Sequence, residues 1–182
     1  MTKTSKLVVV AIVLAISLGP MRAATISPKD VVDQFVKLDV KGERLSPEGW
    51  HRADLLFVKP SQPQHANVLV VIARHYAVSG ATGEVDTQFD FGYEEIGRID
   101  IASLSFAPSN SGTETRSFQT YKVVPGDVNH PLEWKIDGIQ PPTMHLTADA
   151  AIRYDTLMRA KTADPVIVKN ADRTLAKLGP FR

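Results

Sequence analysis

Val85-Asp86-Thr87-Gln88-Phe89-Asp90-Phe91-Gly92-Tyr93-Glu94 alternates without a break. Val85, Thr87, Phe89, Phe91 and Tyr93 fall on one side, and Asp86, Gln88, Asp90, Gly92 and Glu94 on the other. A period of two marks a β-strand with one face in the core and one in water. The pattern runs on towards Ile99, with Gly97 placed for a bulge or bend.

Upstream, Gly80-Ala81-Thr82-Gly83 has hairpin-turn chemistry. Before it, residues 67–79 are rich in Val and Ile, and their first half is apolar on both faces. Such a strand is expected to be covered on both sides. Arg74 and Tyr76 interrupt it, which fits a pocket mouth or a strand end reaching solvent. Downstream, residues 108–112 form a polar loop, residues 116–124 a third strand, and Pro125-Gly126-Asp127 a turn. Leu132, Trp134 and Ile136 alternate with Glu133, Lys135 and Asp137 in a fourth strand closed by Gly138.

Helical periodicity flanks this block. Ser27-Pro28-Lys29-Asp30 is a helix start, and Val31, Val32, Phe35, Val36 and Leu38 give its apolar stripe before Gly42. Ser46-Pro47-Glu48 starts a shorter helix with Trp50, Ala53, Leu56 and Phe57 on its apolar side. After Pro141-Pro142, Thr147 caps a third helix, with Ala151, Tyr154, Leu157 and Met158 on one side. Asp164-Pro165 opens a fourth, with Ile167, Val168, Ala171, Leu175 and Leu178 inward. The expected fold is α+β: N-terminal helices on a curved antiparallel sheet of about four strands, with two C-terminal helices. Residues 24–140 form the expected α+β domain, and 141–182 a helical extension packed on it.

The first two dozen residues read as an export signal. Lys3 and Lys6 precede the uncharged apolar run of residues 7–19, Pro20 breaks it, and Ala23-Ala24 offers a cleavage point. As a helix, that run would be about 20 Å long, short of the roughly 30 Å hydrocarbon core of a bilayer. A signal peptide of residues 1–23 and a secreted or periplasmic location are therefore expected. The alternative is a membrane anchor through an uncleaved segment. The 182-residue chain has 21 basic and 20 acidic residues; without Lys3, Lys6 and Arg22 the basic count falls to 18. Near-neutral charge without a basic run offers nucleic acid no footprint. The chain has no cysteine, which excludes disulfides, thiol catalysis and zinc–thiolate sites.

No phosphate-binding loop, dinucleotide fingerprint or nucleophile elbow is present. His51, His65, His75, His130 and His145 have no metal-ligand spacing, so no metal and no cofactor are expected. His75, within a strand, reads as a sheet residue or a proton carrier. Asp86, Asp90, Glu94 and Glu95 read as a wet strand face, or as paired carboxylates able to supply a base or hold calcium. Phe89, Phe91, Tyr93 and Trp134, with Tyr76, read as packed core or as the lining of an apolar pocket.

The segments SPKDVVDQFVKLDVKGE, SPEGWHRADLLF and HPLEWKIDG carry a resemblance to the nuclear transport factor two-like superfamily, over residues 27–138. The resemblance implies a cone-shaped α+β domain. Its members include ketosteroid isomerase, dehydratases, polyketide cyclases and purely binding or assembly domains, so the fold leaves function open. No catalytic set of that superfamily maps onto these residues. The reading is an exported domain that binds a small apolar ligand or a protein partner. The alternatives are an isomerase or dehydratase of the ketosteroid isomerase type, and an assembly domain acting as a homodimer.

Overall fold

The computed structural model describes residues 26–61, 69–82, 87–109, 116–126, 133–141 and 143–181, with the side chains of 69–77, 81–82 and 116 outside that description. The proposed leader, His65, His130, Asp86 and the side chains of Arg74, His75 and Tyr76 therefore lie outside the described residues. Among the described residues, no helix is long and apolar enough to cross a membrane.

Helix α1 (Pro28–Val40) begins as its sequence requires. The Asp30 amide donates to Ser27 Oγ at 3.3 Å, and the Ser27 amide donates back to the Asp30 carboxylate at 2.9 Å. That closed capping box satisfies two otherwise orphaned donors. Val31, Val32, Phe35, Val36 and Val40 are buried, and so is Asp39. Gly42, at φ 74°, turns the chain out of the helix. The left-handed region costs glycine nothing and other residues about 1–2 kcal/mol. A 3-10 turn (Glu43–Leu45) leads to α2 (Pro47–Asp54), capped by Ser46 Oγ on the Gly49 amide at 3.1 Å. Helix α2 ends before Leu56 and Phe57, a correction to the expected apolar side. Leu56 O accepts from the Ile136 amide at 2.8 Å, and Phe57 enters a strand.

The sheet has seven strands: β1 (Phe57–Lys59), β2 (Leu69–Thr82), β3 (Thr87–Asp100), β4 (Ser105–Pro108), β5 (Arg116–Pro125), β6 (Trp134–Ile139) and β7 (Met144–Leu146). Their order is β1-β6-β5-β3-β2-β7, with β4 also on β3. The four expected strands are β2, β3, β5 and β6, and they pair antiparallel in the order β6-β5-β3-β2. Three short strands enlarge the sheet. Of these, β1 on β6 and β7 on β2 are parallel, so the sheet is mixed at its two edges. Segment 141–182 thus contributes a strand before its helices.

The β2–β3 hairpin pairs through Thr82 and Thr87, so it turns later in the chain than residues 80–83 suggest. Its register slips twice. Ile96 and Gly97 of β3 lie opposite Ile72 alone, and Arg74 and His75 of β2 lie opposite Glu94 alone. The bulge expected at Gly97 is there. Paired bulges bend a ribbon sharply. Beyond this bend β3 exchanges its partner β5 for β4.

The bend separates two apolar clusters. The first gathers α1 on Phe57, Phe89, Phe91, Tyr121, Val123 and Ile136. In the second, α3 (Ala148–Lys161) and α4 (Pro165–Leu178) cover Ile96, Ile99, Phe106, Met144 and Leu146. Helix α4 turns Ala171, Thr174 and Leu178 inward, close to expectation. Helix α3 buries the expected side only in part: Ala151 is buried, and Tyr154 and Met158 are half-buried. Its buried residues are Ala148, Ala150, Ala151, Ile152 and Asp155, and Leu157 is exposed.

Helix α4 also meets β4 through polar groups. Thr174 Oγ1 accepts from the Phe106 amide at 3.1 Å and donates to Leu104 O at 2.8 Å. Asn170 Nδ2 donates to Ser103 O at 3.1 Å, and Lys177 Nζ to Phe106 O at 3.4 Å.

Candidate functional site

A buried charged network lies between the two clusters. Its first member, Asp39, comes from the last turn of α1; its second, Arg44, from the 3-10 turn that follows; its third, His145, from β7. All three are about 1% exposed. Arg44 Nη1 donates to Asp39 Oδ1 at 2.5 Å, and His145 Nδ1 lies 2.8 Å from Asp39 Oδ2. Arg44 Nε donates to Gln140 Oε1 at 2.7 Å, Nη1 to Thr143 O at 3.1 Å, and Nη2 to Pro141 O. Gln140 Nε2 reaches Trp50 O and Asp54 Oδ1, each at 3.4 Å. Asp54 in turn accepts from the Ser61 amide and hydroxyl at 2.9 Å.

The guanidinium is also held between rings. Its central carbon lies 5.1 Å from the Phe35 ring and 5.0 Å from the Trp50 ring. Phe35 belongs to one cluster and Trp50 to the other, so Arg44 joins them. Isolated charges this deep would be strongly unfavourable. Satisfied donors, two acceptor oxygens and stacking faces offset that cost.

On the sheet side, His145 packs against Tyr93 at 4.5 Å and edge-on to Phe91 at 5.2 Å, and Phe91 stacks on Tyr93 at 5.4 Å. Tyr93, with its phenol hydroxyl, shares a sheet face with Ser117, its register partner on β5. Burial, then the Glu95 carboxylate, hold that hydroxyl above the ordinary tyrosine range. Tyr121 is buried, its hydroxyl has no hydrogen-bond partner, and burial followed by the Asp39 charge pushes it well above that range. Trp50 Nε1 is likewise buried and unpartnered.

The expected pocket residues divide. Phe89 and Phe91 are packed core, 2% and 0% exposed. Tyr93 and Trp134 are half-buried at the margin of that cluster, with Leu38, Leu56 and Val78. Tyr76 stands opposite Tyr93 in the register. Asp90 lies on the sheet face opposite Phe89 and Phe91, where Thr120 Oγ1 donates to it at 2.6 Å. Glu95 pairs with Arg98 at 2.7 and 3.2 Å. Among the described residues, no three of His, Asp and Glu gather as a metal-holding group.

The sequence reading missed Asp39, Arg44 and the role of His145. A signal was present for Asp39, which continues the apolar positions Val32, Phe35 and Val36 of α1. A charge on a buried helix face requires a partner. His145 sits between Met144 and Leu146, the weaker form of the same signal. Comparison with known proteins finds no protein-family model, no curated protein and no solved structure that matches this chain.

Proposed function

We propose that this chain is an exported binding domain of the nuclear transport factor two-like kind, whose inner sheet face receives a small apolar ligand beside Tyr93. One observation carries the reading. Both carboxylate oxygens of Asp39 are taken, and Arg44 is bonded through all three of its nitrogens. These charges hold the framework. The margin beside them is aromatic and aliphatic: Tyr93, against His145 and Phe91, and Val78, opposite Phe91, are partly exposed, while Trp134 stands at the far end of the sheet, eight β5 positions from the partner of Tyr93. Apolar surface with a few hydroxyls, here Tyr93 and Ser117, is the usual lining of a small-molecule site.

The test is titration of the chain with a graded series of alkyl and aromatic ligands, followed by tryptophan emission. Saturable quenching that weakens at least about tenfold, or about 1.4 kcal/mol, in Tyr93→Ala supports the reading. A flat response across the series overturns it. Export is tested by fractionating cells that express the chain with and without residues 1–23. Equal retention inside the cell would sink that part.

A second reading draws on the Asp39–His145 contact. A carboxylate that holds one imidazole nitrogen orients the ring for proton transfer. An isomerase or dehydratase would then use His145 beside Tyr93, not Asp90, which faces away. Solvent proton exchange into an α-acidic ketone, lost in His145→Gln, would favour it over binding alone.

A further inference from the structure

We propose that the α3–α4 hairpin is a proton-operated clasp: with the Asp155 carboxyl protonated it stays seated on the sheet, and ionisation of that carboxyl loosens it. Asp155 lies on the buried side of α3 and is 0% exposed. Among the described residues, neither of its carboxylate oxygens has a hydrogen-bond partner. Among the described residues, a charged carboxylate enclosed in this way finds neither water nor a counter-charge, which the folded state does not tolerate without strong destabilisation. A neutral carboxyl is far less costly there.

The surroundings favour the neutral form. Asp172 on α4 is the charged neighbour, and its sign is the same as that of an ionised Asp155. Arg159, one helical turn along α3, does not compensate, because its guanidinium forks onto Asp172 at 2.5 and 3.3 Å. Tyr154 beside it feels the Asp155 charge and is itself held above its ordinary range, chiefly by burial. The apolar neighbours of this cluster are Met144 and Leu146 of β7 and Phe181 of the terminal 3-10 turn (Gly179–Phe181). Of the ionisable groups on the described elements around it, His145 is engaged with Asp39 and Lys177 with Phe106 O, and the side chains of residues 69–77 of β2, which α3 also meets, lie outside the described residues. Burial first, and Asp172 second, push the Asp155 carboxyl up to about 7.

The sign follows from linkage. Between the ordinary aspartate range near 4 and about 7, the folded chain carries a proton that the unfolded chain has lost. Stability therefore falls as pH rises through this window, and the loss is complete above it. Loosening the hairpin would uncover Ile99, Phe106, Met144 and Leu146, which α3 and α4 cover. The opening would follow the pH of the surrounding medium, and this does not depend on the binding reading above.

Thermal unfolding of the full chain and of Asp155→Asn at about pH 5 and about pH 8 tests the clasp, with a dye that fluoresces on apolar surface as the second readout. The wild-type midpoint should drop by roughly 5–10 °C between the two conditions, with dye emission rising below the midpoint at the higher pH. In Asp155→Asn both changes should shrink to a small fraction. Asp172→Asn should move the wild-type drop to lower pH, because it removes the like charge. Equal drops in wild type and Asp155→Asn would overturn the proposal. If the asparagine variant does not fold, carboxyl titration of 13C-labelled wild type decides. Asp155 titrating near neutrality supports the clasp, and titration in the ordinary aspartate range overturns it.

Discussion

Asp39 and His145 stand 106 positions apart in the chain, and their side chains meet at 2.8 Å with neither accessible to water. The contact ties the C-terminal turn of α1 to the edge strand β7. Through the second oxygen of Asp39 it also fixes Arg44, and with it the chain just before β7. Three segments that would each be weakly held are thereby fixed at one carboxylate.

Arg44→Leu should cost about 3–5 kcal/mol, because it leaves Asp39 as a buried charge without its strongest partner. Chemical denaturation measures this. In a double-mutant cycle with Asp39→Leu the two losses should fall short of additivity by about 0.5–3 kcal/mol. Full additivity would mean that the pair does not act as a unit.

Two glycines of the chain should respond unequally to alanine. A Cβ at Gly49 would run into the Glu43 carbonyl oxygen, a backbone atom that cannot swing away, while nothing lies within 4 Å of a Cβ at Gly179. Gly49→Ala is expected to destabilise by about 1–3 kcal/mol, and Gly179→Ala to stay within about 0.5 kcal/mol of wild type. Thermal melts of the two variants side by side give the comparison.

Thr174→Val keeps the shape of the side chain and removes its hydroxyl. The Phe106 amide and the Leu104 carbonyl would lose a partner beneath α4. Each stranded group costs about 1–3 kcal/mol. Faster amide exchange at Phe106, compared with a β5 amide as internal reference, is the expected signature.

Alkaline titration should reveal three reluctant phenols. Tyr93, Tyr121 and Tyr154 are all held above the ordinary range, each mainly by burial. The unfolded chain ionises these groups near pH 10 while the folded chain does not, so stability declines as pH rises past that point. The phenolate absorbance of the native protein should therefore lag behind that of the denatured protein, then rise together with loss of structure. Overlapping curves would contradict the burial of Tyr121.

The long elements were legible because period and capping are local. The ten alternating residues ending at Glu94, the capping box at Ser27 and the interruption at Gly97 each state their conformation within a few positions. Strands β1, β4 and β7 were not legible. Three or four residues are too few to show a period, and for β1 and β7 the partners that make them strands are remote: Ile136 for Phe57 and Val71 for His145. Phe57 was read as helical because it extends the spacing of Trp50 and Ala53; capture by β6 overrides that spacing. The candidate site followed the same division. Phe89 and Phe91 were placed on the correct strand face, but whether a face is floor or pocket depends on what α1 lays over it. Asp39 and Asp155 were both missed, although Asp39 stands as a charge in line with Val32, Phe35 and Val36, and Asp155 four positions after the buried Ala151. Arg44, in the polar run 41–44, gave no such sign.

The hydroxyl of Thr174 and the amide of Asn170 give α4 the role of a surrogate neighbouring strand. Thr174 takes the Phe106 amide of β4 and the Leu104 carbonyl just before that strand, and Asn170 takes the Ser103 carbonyl of the preceding turn, backbone positions that another polypeptide could otherwise fill. Truncation before Pro165 would therefore do more than shorten the molecule. It would leave a sticky border beside a greasy surface, and such chains should polymerise edge to edge on storage.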